Sequence, residues 1–422
     1  LGRYLALAYE GDIRQRDQVD FQEADAETTG GHAFKVMAAY EIWFASTKKD
    51  GEIVLAALRL FGFFDRPAGI KSLRALRTAP AIPGLTRPLV SLDPKAWRIA
   101  LKRLEECGLI FPVKNGDAYD AHPLVREYLA ASLKGRSLNA WREGHRRLYE
   151  QLKASVPHRP DDLAGLQPLY QAVAHGCLAD LHEKACADVY QDRILRGTGN
   201  DGFYSIWKLG AIGADLGAVA CFFVEPWWRP APELDEDQQV WLIHQAAICL
   251  RALGRLEEAL EPMRAAAEVR GKSEDLENAA IGYGNLSELQ LSLGRVAAAV
   301  TDAGQAMAYA DRSGDAFQCM YSRAKVAIAL HQQGESAEAL KRFAEAEAMQ
   351  VERQPGYPLL YSFRGVQYCE LLLAASERAV WRGTGEAALA ERCVEVRERA
   401  IQMLEWAEAN EAALLDIALS HL

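Results

Sequence analysis

The sequence predicts an all-α protein with one small β-wing: a compact helical domain, a helical adaptor and then an α-solenoid. Three observations predict it. Gly254, Gly294 and Gly334 stand 40 residues apart (294 − 254 = 334 − 294 = 40). Each lies between two apolar runs of helical period, where a glycine makes the turn of a helical hairpin. Small residues recur at fixed offsets from each glycine: Ala247, Ser287 and Ala327 before it, then Ala259, Ala299, Ala339 and Ala266, Ala306, Ala346 after it. Close-packed helices need such positions, because a large side chain would hold the backbones apart. Strand signals, by contrast, gather in one place, around Asn115-Gly116.

Composition sets the outer limits. The chain has 422 residues, half of them hydrophobic and a quarter charged, which is an ordinary globular balance. That length predicts about three domains. No apolar run approaches the ~20 residues that span a bilayer, and no leader of the secretory type opens the sequence. The first residue is Leu1, not methionine, so the chain is expected to begin inside a longer reading frame. The net charge is −10. Residues 1–134 carry 19 Lys+Arg against 17 Asp+Glu, and the rest 29 against 41 (48 − 19 and 58 − 17). An acidic C-terminal two-thirds disfavours nucleic acid as a partner. The eight cysteines are scattered through helix-like runs, so they are expected to be reduced and the protein cytoplasmic.

Residues 1–30 are read as the end of a preceding helical domain and a polar connection, with Leu1–Glu10 amphipathic. A domain is expected over 31–135. Its first helix runs from Gly31 to Phe44 with Phe34, Met37, Ala38 and Ile42 on one face. A second, Ile53–Phe64, is stopped by Asp65-Arg66-Pro67. Ile70–Leu76 makes a short third. "APAIPGLTRPLV" holds three prolines and is read as extended loop. Pro94–Cys107 is helical with Trp97, Leu101 and Leu104 inward. Leu109–Val113 and Asp117–Ala121 form a hairpin through Asn115-Gly116. A helix from His122 closes the domain, with Pro123 in its first turn.

Helices, a two-stranded wing and a closing helix make a winged-helix arrangement. Lys95, Arg98 and Lys102 share a face of the candidate reading helix, but Glu105 and Glu106 follow and the domain is nearly neutral. A DNA-binding regulator is therefore the least favoured of three functions. Residues 136–230 are read as the adaptor, with "VEPWWRPAPELDED" as linker and Trp227-Trp228 as a partner anchor or a plug. The solenoid fills 231–422. Beyond its three regular units a longer pair follows, Tyr357–Trp381 and Glu386–Glu408, and Ala412–Leu422 opens a further helix. Since a solenoid should end in a polar cap, the C-terminus is expected to be cut or covered.

Two resemblances sharpen this reading. "LGRLEEALEPMRAAAE", "LGRVAAAVTDAGQAMA" and "QGESAEALKRFAEAEA" resemble the tetratricopeptide repeat, whose usual length is about 34 residues. The six extra residues imply longer helices. "YDAHPLVREYLA", Tyr119–Ala130, looks like the end of the winged-helix domain in the signal-transduction ATPases with numerous domains, which include the NB-ARC proteins. "GGHAFKVMAAYEIWF" and "LRLFGFFDRPA" look like the opening helices of that domain. In that family a histidine at the strand end contacts the nucleotide diphosphate in the resting state, and His122 matches it. Pro123 replaces the Asp that usually follows, which bears on the capping role of that Asp. Hydrogen bonding at a helix start is the other role open to His122.

The resemblance implies the sensor half of such an ATPase. The repeats would bind a protein or peptide, and an upstream ATPase domain would hold ADP or ATP. No G-x-x-x-x-G-K-[ST] occurs in the sequence, so no enzyme activity and no cofactor are expected of this chain. A stand-alone repeat scaffold is the alternative. Tyr283, Gln290, Arg323 and Tyr361 are candidates for a concave partner face, or else for packing against the next repeat. His175, Cys177, His182 and Cys186 have the residue types of a zinc site. A continuous helix would turn Cys177 away from the others, so they are read as ordinary helix residues and no metal is expected.

Overall fold

The computed structural model describes residues 29–409, apart from 48–49, 114–115, 200–201 and 385. Leu1–Glu10, Ala412–Leu422 and the Asn115 turn position lie outside the described residues. The chain divides into two compact units, Leu1–Cys221 and Phe222–Leu422. The all-α class and the terminal solenoid are as expected.

In unit one, α1 (Thr29–Ser46) packs on α2 (Gly51–Arg59), which tightens into a 3-10 turn at Leu60–Phe63. The buried face of α1 is Met37, Tyr40, Glu41 and Phe44, while Ile42 is 71% exposed. Positions 37, 40, 41 and 44 follow the helical stripe that two aromatic anchors set; the expected stripe through Ile42 was one position off. Glu41 is buried but paired. It accepts from Arg59 Nε at 2.9 Å and from Tyr128 Oη at 3.2 Å, and Arg136 also bonds it. A buried carboxylate needs such partners, and these three tie α1 to α2 and to the closing helix.

A two-residue strand β1 (Ala68–Gly69) leads into α3 (Ile70–Leu76). The proline-rich stretch that follows is not extended. It winds through consecutive turns, with Leu85 N and Thr86 N both donating to Ile82 O and Leu89 N to Thr86 O. Ile82, Leu85 and Leu89 are buried. Proline's fixed φ suits turns as well as extended chain, and the three apolar residues give the turns a core to fold on. Next come α4 (Pro94–Glu106), β2 (Ile110–Pro112), β3 (Ala118–Ala121) and α5 (Pro123–Arg136). The sheet order is β1-β3-β2, antiparallel, with Ile110 opposite Ala121 and Ala68 opposite Tyr119. At Gly62 an added Cβ would lie 2.8 Å from Ala130 N, so the 3-10 turn meets α5 backbone to backbone.

The expected division at residue 135 falls inside this unit. Ser137 ends α5 and caps α6 (Leu138–Ala154) through Ala140 N. Trp141 of α6 then stacks on Phe63 at 5.6 Å, which merges the first adaptor helix with the preceding core. Beyond it run α7 (Leu163–Leu178) and α8, a helical turn at His182–Lys184 that widens into a π-helix over Ala185–Ile194. Arg193 is buried and donates to the carbonyls of Lys153, Val156, Pro157 and His158, pinning the α6–α7 loop. Short helices α9 (Tyr204–Trp207) and α10 (Ile212–Ala220) complete the unit.

Unit two opens with a small hairpin, β4 (Phe223–Glu225) and β5 (Arg229–Pro230), where a linker was expected. Four helix pairs follow: α11 (Glu236–Ala252) with α12 (Leu256–Lys272), α13 (Leu276–Ser292) with α14 (Val296–Ser313), α15 (Ala316–Gln333) with α16 (Ser336–Arg353), and α17 (Ser362–Trp381) with α18 (Glu386–Ala409). At all three ladder glycines φ is positive, at 76°, 72° and 94°. The turn bonds repeat too. Each glycine N–H reaches the carbonyl three residues back, and the next N–H reaches five back, as in Arg255 to Leu250, Arg295 to Gln290 and Glu335 to Leu330. This is the Schellman closure of a helix end. The nine small ladder residues are all buried.

A second ladder starts the first helix of each pair. Asp235, Asp275 and Asp315, again 40 apart, accept from the N–H groups of Gln238, Asn278 and Gln318, the N-cap bond that satisfies a helix's free donors. The fourth pair departs from the period. Its first helix begins at Ser362, not Tyr357. Residues 354–361 are held irregular by Gln350 Nε2 on Tyr357 O and by Leu360 N on Glu347.

Candidate partner-binding face

The first helices of all four pairs line one groove in unit two. Arg251 comes from α11, Glu288 and Leu291 from α13, Lys325, Ile328 and Gln332 from α15, and Phe363 and Gln367 from α17. The cavity along it measures about 370 Å³. Phe363 is 48% exposed within it.

A charged row crosses the groove. Glu288 accepts from Arg251 Nη2 at 2.8 Å and lies 3.1 Å from Lys325 Nζ. Lys325 is buried, donates to Asn285 Oδ1 at 3.4 Å and sits 4.5 Å from the Tyr321 ring. Asn285 in turn reaches His244 Nε2 at 3.4 Å. Burial alone would raise the Glu288 carboxyl, but the charges of Lys325 and Arg251 outweigh it and hold its pKa below the usual value. Burial lowers His244 to about 4, so its imidazole is neutral at pH 7. Gly284 makes room for this row: a Cβ there would lie 2.8 Å from Lys325 Nζ. A glycine in mid-helix costs about 0.5–1 kcal/mol, and here the lysine's place depends on it.

The four residues expected to line a partner face lie elsewhere. Tyr283 stacks on Tyr309 of α14 at 5.5 Å. Gln290 is buried and bonds Asp302 of α14 at 3.4 Å. Arg323 bonds Asp311 of α14 at 2.7 Å and approaches Glu345 of α16 at 3.8 Å. Tyr361 bonds Gln354 and meets the Trp406 ring of α18. All four engage second helices. Two positions along a helix rotate a side chain by about 200°, so Arg323 and Lys325 face opposite ways. The signal for the groove was in the period itself: Arg251 and Leu291, and Glu288 and Ile328, stand 40 residues apart and line it together.

His122 is exposed at the start of α5, and its Nδ1 accepts from Leu124 N at 3.3 Å. That is the helix-start role. Asp120 beside it pairs with Arg126 and accepts from Ala121 N. On α4, Lys95, Arg98 and Lys102 are exposed, and Lys102 lies 3.9 Å from Glu106. His175 meets His145 Nδ1 to Nδ1 at 2.8 Å, while Cys177 and Cys186 are buried. Burial raises the Cys177 thiol well above its ordinary pKa. Trp227 adopts a positive φ of 69° and packs edge-on to Phe223, and Trp228 is 63% exposed. Among the described residues, no helix is long and apolar enough to cross a membrane.

No family model and no curated protein matches this sequence. Among solved structures, the chain is similar to a signal transduction ATPase with numerous domains that has a tetratricopeptide repeat sensor, from Pyrococcus horikoshii. The identity is 13% and the TM-score 0.30, over 91% of this chain and 64% of that one. The chain thus spans less than two thirds of that protein. It is also similar to a kinesin light chain protein with nearly identical tetratricopeptide-like repeats from Podospora anserina, at 15% identity and a TM-score of 0.31, over 54% of this chain and 93% of that one.

Proposed function

We propose that this chain is the sensing half of a signal-transduction ATPase, with the groove of unit two as the seat of a protein or peptide segment. The observation that carries the proposal is the shared lining: three successive first helices, α13, α15 and α17, present Leu291, Ile328 and Phe363 beside Lys325, Gln332 and Gln367. A segment laid across them would bury apolar side chains and meet polar groups at intervals set by the helix spacing. Repeat arrays of this kind bind through such extended surfaces. A photo-reactive amino acid placed at Phe363 or Gln367 tests the groove in extract of the source organism. It should cross-link a discrete protein, and the same group at exposed Val351 on α16 should not. Equal labelling from both positions would sink the groove as the seat.

The finer part of the proposal is a gate. His122 would touch the diphosphate of a nucleotide held by an upstream module, keeping it closed until a partner shifts the balance between two states. Its support is the resemblance of Tyr119–Ala130 and the exposure of His122, whose Nδ1 accepts from Leu124 N. The phosphate-cradling loop does not occur in this sequence, so His122 is the sole nucleotide contact assigned here. The test uses protein made with all sequence that precedes Leu1. His122→Ala should lose bound ADP on gel filtration and show raised resting hydrolysis; unchanged ADP retention would remove the gate. A stand-alone scaffold is the second reading. It is favoured by the groove being complete within unit two, and it predicts no nucleotide in that preparation.

A further inference from the structure

We propose that unit one holds a separate small-molecule site, a cleft that takes a neutral, hydroxylated aromatic compound. The cleft lies where the 3-10 turn after α2 meets α5, α6 and α7, and it measures about 470 Å³. Small-molecule sites run from about 300 to 1,000 Å³ and combine apolar walls with a few polar groups. Phe63, Trp141, Ala130, Ala174 and Leu178 supply the apolar wall. The Phe63 and Trp141 rings lie 19° from parallel, a fixed flat surface for another ring.

The polar group is His145. It lines the cleft and is 1% exposed, with Trp141 edge-on at 4.2 Å and Phe63 at 5.0 Å. Its Nδ1 is 2.8 Å from His175 Nδ1, and its Nε2 is buried without a hydrogen-bond partner. A buried polar atom left so costs about 1–3 kcal/mol. The two rings share one proton across their Nδ1 atoms, so their tautomers are linked. When His145 donates, its Nε2 is an acceptor; when it accepts, its Nε2 carries the hydrogen. A hydroxyl group can donate or accept, so it satisfies Nε2 in both states.

Charge selects against an anionic ligand. Burial lowers His145 to about 2 and His175 to about 4, so both rings are neutral at pH 7. The two cations at the rim are already matched. Arg66 bonds Asp65 through two nitrogens, and Arg126 pairs with Asp120. An anion would find no uncommitted cation among these, and a neutral ring with one hydroxyl fits.

The test is ligand-observed NMR on the whole chain with phenol and toluene as probes. Phenol should bind at least tenfold tighter than toluene. His145→Phe keeps a ring in place and removes Nε2, so the preference should fall below twofold. Leu178→Trp, at the exposed mouth, should weaken both probes without disturbing the core, and it stands in if the His145 variant does not fold. Equal binding of phenol and toluene by the wild-type chain overturns the proposal, and so does phenol binding that Leu178→Trp leaves unchanged.

Discussion

Ser287 Oγ donates a 2.8 Å hydrogen bond to the carbonyl oxygen of Ala299. Both are ladder residues, one on each helix of the second pair, and both are buried. The bond is available only because neither side chain keeps the helices apart. Ser287→Ala should cost about 1 kcal/mol, the net worth of one hydrogen bond. Ser287→Leu must overpack the seam and should cost about 3 kcal/mol. Urea unfolding of the two variants measures the difference, and equal midpoints would show that the seam is not close-packed.

The turn glycines can be tested separately from packing. At Gly294, φ is 72° and an added Cβ would touch nothing within 4 Å. Gly294→Ala should therefore cost about 1–2 kcal/mol from the left-handed backbone alone. Gly294→Asn should cost less, because Asn tolerates that conformation. Thermal melts of the three proteins should rank Gly, Asn, Ala.

The charged row in the groove has a defined pH response. Glu288 has a lowered pKa in the folded chain, against a reference of 4.5. Its contribution is then present above the reference value and is lost as pH falls through the folded pKa. Lys325→Met leaves Glu288 with Arg251 alone and should destabilise by about 3 kcal/mol at pH 7. The loss should shrink as the solution is acidified below pH 4.5. A loss that is constant with pH would mean that the lysine acts through its carbon stem and not its charge.

Asp215 responds in the opposite sense. It is fully buried among hydroxyls, with Tyr170 Oη and Ser205 Oγ donating to it at 3.0 Å each. Burial raises its pKa from 3.8 to about 6. A raised folded value favours the protonated form, so the site's contribution is full below 3.8 and lost as pH rises through 6. Two pKa units correspond to about 3 kcal/mol. Asp215→Asn should flatten the stability change between pH 4 and pH 7 by roughly that amount, as read from urea midpoints at the two pH values.

Much of this fold could be read from residue type and spacing. The glycines at 254, 294 and 334 named their own backbone conformation, and the alanines around them named the seam. His122 before Pro123 marked a helix start. What escaped was whatever depends on the direction of a side chain about a helix. Residues 283, 290 and 323 are as polar as 285, 288 and 325, and the period holds both sets equally. Only the way the second helices pack against the first decides which set meets a second helix and which meets the groove. The turns at 79–90 escaped because prolines break regular structure without saying what replaces it. The joining of α6 to the preceding core rests on a Phe63–Trp141 contact between residues 78 positions apart (141 − 63), and no local pattern announces such a contact.

The recurrence of both helix ends, an aspartate opening and a glycine closing at one fixed interval, makes the 40-residue interval a unit of length. Excising 275–314 would join the end of one pair to Asp315, the same kind of cap it meets now at Asp275. No new junction would have to be invented, and the groove would shorten by one rung. Insertion of a copy would lengthen it in the same way. The span of segment that the groove can grip is therefore a counted quantity, adjustable in whole steps without redesign of any turn.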